Sequence, residues 1–410
     1  MIISDVRAEK TFDSRGEPTI SVTVESDGVK SSASAPSGKS RSRYEAVPFS
    51  SKGIDFSLSF VEVIGRKLAE SRTSFKSFED IEKIDSMVKQ YDKTENRSII
   101  GGNALFALEA AVLKAMAASE KKELWRFLNP KAKTLPMPLG NCIGGGAHSK
   151  KEIKPDFQEF LFLPKSKSFN DAYFMNLQAY KLAKELVKQQ DMTWDGELTD
   201  EKAICPSLTA EEIFYLMGEV RKRLGEKYKS NTFIGADMAA STFFKDGKYF
   251  YKNSRKILNK EEQVGHIKEL IGKYGIYYTE DPFYEEDFES FSSLLKETKA
   301  KKVLICGDDL TATQPKRLEK AISEKAVNAV IVKPNQNGSL FETKKFLDLA
   351  VKNHITPIIS HRSGETLDFT ISDLAVAWEI PIIKTGILGK ERLAKLNRLV
   401  KIEREILKKQ

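Results

Sequence analysis

The feature that most constrains this chain is a series of apolar, β-like runs in its second half, each closing on a charged or polar group. Asp237 closes FIGADMAAS, Glu280 closes IYYTEDPF, Asp308 closes VLICGDDLT and Lys333 closes AVIVKPNQ; His361 follows PIIS and Lys384 follows PII. The steps between them are 43, 28, 25, 28 and 23 residues. A step of 23 to 28 fits one strand, one helix and two short loops, the size of a βα unit. Such alternation favours an α/β fold with a parallel barrel, in which groups at the C-terminal strand ends point into one shared mouth. Three carboxylates, two lysines and a histidine are therefore expected to meet in one site.

Asp237, Glu280 and Asp308 are hard oxygen donors, a set that suits Mg²⁺. Any one of them alone is equally well explained as a cap or an ion-pair partner. Three at successive strand ends are different, because converging like charges are costly without a cation. Lys333 follows the buried-looking run NAVIV, and desolvation with cationic neighbours is expected to lower its pKa and make it a base. Ser360-His361-Arg362-Ser363-Gly364 is expected at a strand-to-helix turn, where the arginine fork and free helix N–H groups would hold a phosphate or carboxylate. The loop Gly144-Gly145-Gly146-Ala147-His148 brings a second histidine to the mouth, although three glycines alone say little about phosphate binding.

The 410-residue chain supplies more than a barrel. Residues 2–35 read as strands, with Ile20, Val22 and Val24 alternating with polar residues and Ser26-Asp27-Gly28 as a turn. Helical patterns follow at 57–72, 77–91 and 102–119, which suggests a separate α+β unit of roughly 125 residues. Pro136 and Pro138 mark the passage into the second unit. There FQEFLFLP is strand-like, and helical patterns cover 169–189 and 209–226.

No stretch approaches the roughly 18 apolar residues of a membrane helix, and the N-terminus lacks the pattern of a signal peptide. Cys142, Cys205 and Cys306 form no CxxC pair and are expected to be reduced thiols in a cytoplasmic protein. The net charge of +8 is largely diffuse, with a concentration in KERLAKLNRLVKIEREILKKQ, read as an amphipathic surface helix with a solvated charged face. No recognition motif supports nucleic-acid binding.

Longer stretches carry a resemblance. FDSRGEPT, GGNALFALEAAVLKA, LPMPLGN, FQEFLFLP, GADMAAS, TEDPF, GDDLTAT, KPNQNGSL, SHRSGET, IKTG and ERLAKLNRL together resemble the enolases over nearly the whole chain. The resemblance implies an N-terminal α+β capping domain over 1–127 and a modified (β/α)8 barrel over 135–410, whose first elements depart from simple βα order. It implies Mg²⁺-dependent dehydration of 2-phosphoglycerate to phosphoenolpyruvate, by a homo-oligomer (a dimer or octamer). Asp237, Glu280 and Asp308 would then hold one Mg²⁺, and Ser40 a second. Lys333 would take the C2 proton, and Glu201, assisted by Glu159 and His361, would protonate the leaving hydroxyl. Arg362 and Ser363 would bind phosphate, Lys384 would help hold the substrate carboxylate, and His148 would lie near the substrate.

Three loops depart from the family pattern. The closing loop, usually SGASTG, reads Ser37-Gly38-Lys39-Ser40-Arg41-Ser42, with one glycine lost and two cations added. The acid loop, usually GDEGGFAP, reads Thr199-Asp200-Glu201-Lys202-Ala203-Ile204-Cys205-Pro206 and has lost all three glycines. If those glycines held φ > 0, Lys202 and Ala203 are strained or the loop takes another path. Glu201 is the preferred acid, with Glu197 in Asp195-Gly196-Glu197 as the alternative. After His148 the chain has Ser149-Lys150-Lys151 in place of small residues. These changes also leave room for an enolase-like binding protein with little catalysis, or a dehydratase of another acid.

Overall fold

The computed structural model describes residues 1–39, 41–229 and 231–408. The chain opens with an antiparallel meander: β1 (Asp5–Phe12), β2 (Pro18–Ser26) and β3 (Val29–Ser34). The alternation read in the sequence buries Ile20, Val22 and Val24 against helices α1 (Ile54–Glu70), α2 (Glu82–Tyr91) and α3 (Gly102–Ser119). The helix α3 is apolar nearly all round and buried along its length, as a central helix must be. Its core is continuous with Leu374, Leu396, Leu399 and Ile402 from the far end of the chain. The N-terminal unit is thereby fixed to the second unit by a shared apolar layer.

The second unit is a closed eight-stranded barrel. It begins with β4 (Met137–Gly144), β5 (Glu159–Lys165) and β6 (Asn231–Asp237). A small separate sheet, β7 (Phe244–Lys245), β8 (Lys248–Tyr251) and β9 (Lys256–Leu258), accounts for the long step of 43 residues after Asp237. The barrel resumes with β10 (Ile276–Glu280), β11 (Leu304–Gly307), β12 (Ala329–Val332), β13 (Thr356–Ser360) and β14 (Ile382–Lys384), and closes through β4. As the resemblance implied, the first elements depart from a simple parallel order. Strand β5 runs antiparallel to both β4 and β6. No α-helix crosses over between β4 and β5, so the chain returns in the opposite sense.

Side chains alternate along a strand, so interior residues come in layers. Leu139, Leu161, Tyr278, Cys306, Ile358 and Ile382 fill the interior. Two residues further on, Tyr278 gives way to Glu280 and Ile382 to Lys384. On the reversed strand, Glu159 lies two residues before Leu161. The top layer is charged because period two carries an apolar filling up to it. Gly235 leaves room for Tyr278 inside the barrel, since a Cβ there would lie 2.8 Å from the tyrosine Cβ.

Helix α1 rests on β1 through Gly65, where an added Cβ would meet Val6 Cβ at 2.3 Å. Alanine favours a helix interior over glycine by about 1 kcal/mol, yet here the contact should dominate. Gly65→Ala is expected to lower unfolding stability by about 1–3 kcal/mol through overpacking, read by chemical denaturation. A more stable variant would show that α1 can shift freely on the sheet.

Candidate active site

A cavity of about 310 Å³ opens at the charged end of the barrel. It is lined by Gly38, His148, Gln158, Glu159, Glu201, Asp237, Lys333, Ser360, His361, Arg362, Ser363 and Lys384. Glu280 and Asp308 lie immediately behind this lining, tied to it through Lys384 and Lys333. All the sequence-predicted residues except Ser40 are thus brought together. Ser40 lies outside the described residues.

Lys384 is the hub. Its Nζ lies 3.1 Å from Glu159 Oε2, 3.1 Å from Asp237 Oδ2 and 2.7 Å from Glu280 Oε2. Burial pushes the ammonium's pKa down, but Asp237, Glu159 and Glu280 outweigh burial and hold it well above the usual value. Burial, with Asp237 beside it, pushes Glu280 up to about 8. Burial likewise holds the Glu159 carboxyl well above the ordinary range, partly opposed by Lys384. Glu280 Oε2 also accepts the Tyr278 hydroxyl proton at 2.6 Å, and Gln158 Nε2 donates to Asp237 Oδ2 at 3.3 Å. Such partners fix the orientation of both carboxylates.

Lys333 corrects an expectation. It is paired with Asp308, whose other oxygen accepts from Gln336 Nε2 at 3.4 Å. Burial lowers the Lys333 pKa, and Arg362 and Lys384 lower it further, but the Asp308 carboxylate against it leaves the net shift upward. The cationic neighbours are present as expected; their effect is masked by the counter-charge.

Glu201 is buried in the cavity wall. Asn141 Nδ2 donates to its Oε2 at 3.1 Å, His361 Nε2 is 3.4 Å away and His148 Nδ1 is 3.8 Å from its other oxygen. Burial holds both imidazoles below their ordinary pKa, while burial raises Glu201 but His361 and His148 outweigh it and hold that carboxyl well below its usual range. Glu197 sits apart from this wall and accepts from Ser149 Oγ at 3.0 Å. The acid loop keeps its course without glycines by placing Lys202 at φ 65°, the left-handed region; Ala203 does not share that strain. The Lys202 carbonyl accepts the Tyr180 hydroxyl proton, which helps hold the turn.

Arg362 is clamped. Its Nη1 is 2.8 Å from Glu45 Oε2, Nη2 donates to Glu45 Oε1 at 3.2 Å, and Nη1 donates to Asn335 Oδ1 at 3.2 Å. The expected helix start at this turn is absent. Residues 361–369 form a loop, and the next helix begins at Thr370. The loop is stabilised by the C-terminal helix (Lys390–Leu407), whose charged face is only partly solvated. Arg392 Nη2 donates to the Ser363 carbonyl at 2.7 Å, Lys395 pairs with Glu365 at 2.6 Å, and Arg398 pairs with Asp373.

The closing loop is fastened over the cavity. Ser37 and Gly364 exchange backbone hydrogen bonds, and Lys39 pairs with Asp200 at 2.8 Å, joining it to the acid loop. Ser42 Oγ donates to Glu285 at 2.6 Å. One of the two added cations thus has a structural use. The sequence reading missed Asn141, Gln158, Glu45, Asn335, Gln336 and Arg15. All but Glu45 and Gln158 lie inside the quoted motifs PLGN, KPNQNG and DSRG; Gln158 lies within FQEF, one residue before Glu159.

The donor set suits a divalent cation. Glu280 Oε1 is buried with no hydrogen-bond partner and, with Asp237 and Asp308, offers hard oxygens, although the acidic trio whose oxygens lie within 4.8 Å of one another is Asp281, Asp308 and Asp309. The cavity brings the cationic groups of Arg362, Lys384 and Lys333 together with the Ser363 hydroxyl and the Glu201 carboxyl in one enclosure.

Comparison with known proteins agrees with this geometry. Residues 3–128 match the family model described as enolase, N-terminal domain, and residues 132–410 match enolase, C-terminal TIM barrel domain. The chain is 40% identical to the enolase of Methanosphaera stadtmanae, over 99% of this chain and 98% of the relative. It is 39% identical to the enolase of Methanothermobacter thermautotrophicus, over 99% and 97%. With the enolase of Ehrlichia chaffeensis it shares 37% identity over 98% and 96%. With two domain matches along its length, full-length relatives and an enclosed acid–base site at the barrel mouth, this chain belongs to the enolase family.

Proposed function

We propose that this chain catalyses the reversible dehydration of 2-phospho-D-glycerate to phosphoenolpyruvate, with the residues of the cavity in the following roles. The observation that supports this reading is the convergence of Lys333, Glu201, Arg362, Ser363 and Lys384 on one buried cavity in a chain of this family. Arg362 and Ser363 bind the phosphate, and Lys384 neutralises the substrate carboxylate. Lys333 removes the proton from C2, and the C–H electron pair moves into the carboxylate. The C3–O bond then breaks, C2=C3 forms, and the departing hydroxide takes a proton from Glu201 to leave as water. Glu159, which burial holds well above the usual carboxyl range, and His361 flank Glu201, which must take up a proton before it can act as the acid.

Asp237, Glu280 and Asp308 would hold Mg²⁺, and Ser40 a second ion. When bound, the cations stabilise negative charge developing on the substrate carboxylate. An Asp308 carboxylate engaged by a cation would no longer hold the Lys333 proton. Burial, Arg362 and Lys384 then favour the neutral amine a base requires. The binding-only alternative has little support, because the departures from the family pattern lie in loops and leave the strand-end groups in place.

The reading also makes the chain a glycolytic enzyme of the cytoplasm, working as a homo-oligomer. Three buried, unpaired cysteines support a reducing compartment. Exposed Phe12 and Leu367, at 68% and 64%, offer an apolar face for a second copy. No helix among the described residues is long and apolar enough to cross a membrane.

Turnover is followed by the growth of phosphoenolpyruvate absorbance with excess Mg²⁺. Lys333→Ala and Glu201→Gln should each lower kcat by about 10²–10⁴-fold, the usual worth of a positioned base or acid, whereas Glu197→Gln should stay near wild type. Loss of turnover in Glu197→Gln alone would reassign the acid, and an inactive wild-type protein would overturn the reaction. Mg²⁺ binding offers a second check. A carboxyl raised to about 8 is mostly protonated below that pH and must shed its proton to bind a cation. Calorimetry should therefore show affinity rising from about pH 6 to about pH 8 and levelling above, with proton release below pH 8. Affinity independent of pH would remove Glu280 from the ligand set.

A further inference from the structure

The DSRG turn packs against the phosphate loop from the opposite end of the chain. Ser14 N donates to the Glu365 carbonyl at 2.7 Å, Glu365 N donates to Ser14 Oγ at 3.2 Å, and Arg392 Nη1 donates to the same hydroxyl at 3.1 Å. Within this turn Arg15 is rigidly held. Asp13 Oδ2 accepts from Arg15 Nε at 3.1 Å and from Nη2 at 2.8 Å, while Asp13 Oδ1 accepts the Arg15 and Glu17 amides. Gly364 is required beneath this pair, since a Cβ there would lie 2.0 Å from Asp13 Oδ2 and 2.6 Å from Arg15 Nη2.

The guanidinium's remaining arm reaches Ser363. Arg15 Nη1 donates to Ser363 Oγ at 3.2 Å, and the Lys39 amide donates to the same oxygen at 2.9 Å. A serine hydroxyl has two acceptor lone pairs and one proton. Both lone pairs of Ser363 are taken, by two donors that approach from outside the cavity, and Ser363 itself lines the cavity beside Arg362. A hydroxyl so placed can no longer act as an acceptor toward a ligand; its proton is the only capacity left.

We infer that Arg15 is a positioning residue for phosphate recognition: together with the Lys39 amide it saturates the Ser363 oxygen, so that the hydroxyl donates its proton to a phosphate oxygen in the cavity. The chemistry fits a ligand that has acceptors and no donors, a phosphate dianion. Without Arg15 the hydroxyl could turn to its protein neighbours, and substrate would have to pay to turn it back. This inference rests on the reading of Ser363 as a phosphate ligand.

Steady-state kinetics with 2-phosphoglycerate on Arg15→Met, Arg15→Lys, Ser363→Ala and the double variant Arg15→Met/Ser363→Ala tests it. Arg15→Met should raise KM on the order of tenfold, the value of one well-aimed hydrogen bond to a charged group, with kcat nearly unchanged. Arg15→Lys keeps the charge beside Asp13 but not the fork that spans both partners, so an intermediate KM is expected even where Arg15→Met does not fold. The double variant should be no worse than Ser363→Ala alone, because Arg15 acts through that hydroxyl. Equal KM penalties for Arg15→Met in the presence and absence of the Ser363 hydroxyl would overturn the inference, as would a fall in kcat at unchanged KM. A Ser363→Ala variant with wild-type KM would instead overturn the phosphate reading beneath it.

Discussion

The buried ammonium of Lys384 is the interaction on which the rest of the site depends. Glu159, Asp237 and Glu280 all reach it within 3.1 Å, from three different strands and in the charged layer of the barrel. Without a cation there, three carboxylates on adjoining strands would face one another in a dry enclosure, where ionised groups are strongly disfavoured. The same accounting repeats around the rim. Lys333 answers Asp308, and Arg362 answers Glu45. Each of these buried cations is held by an acid, so the charged layer stays near neutrality.

The N-terminal unit acquires its meaning from this arrangement. The barrel provides the charged floor, but the walls above the phosphate loop come from Asp13, Arg15, Ser37, Gly38, Lys39 and Glu45. Asn335 links the two directly, receiving Arg362 Nη1 on its oxygen and donating its own amide to the Pro36 carbonyl and Asn103. The C-terminal helix braces the same loop from behind through Arg392 and Lys395. A cavity built this way requires the shared apolar layer of α3 with Leu396, Leu399 and Ile402, because a loose domain contact would leave these polar partners unmatched.

Much of the barrel was legible because strand and helix write different periods, and because apolar runs ending in acids recur at the spacing of a βα unit. Glu159 shows where that logic stops. It lies at the N-terminal end of its strand, and only the reversal of β5 brings that end to the mouth. The helix expected after His361 shows another limit. A serine, an arginine and a glycine after a strand are compatible with a cap, yet Arg392 and Lys395, far along the chain, satisfy the loop instead. Lys333 stands out as a candidate base from its position, but its protonation in this state depends on Asp308, a neighbour 25 residues away that no local pattern specifies.

The sequence by itself determined which chemical groups are present, the two-unit organisation and the alternation that stacks a charged layer on an apolar one. These follow from local periodicity and from motifs whose residues are close together in the chain. Tertiary structure alone decided which oxygen meets which nitrogen: Lys384 among three acids, Glu201 rather than Glu197 in the cavity wall, Lys39 against Asp200, and Arg15 behind Ser363. Those choices depend on strand register, on the reversal of β5 and on contacts across as many as 378 residues of chain, where distance in sequence carries no information about distance in space.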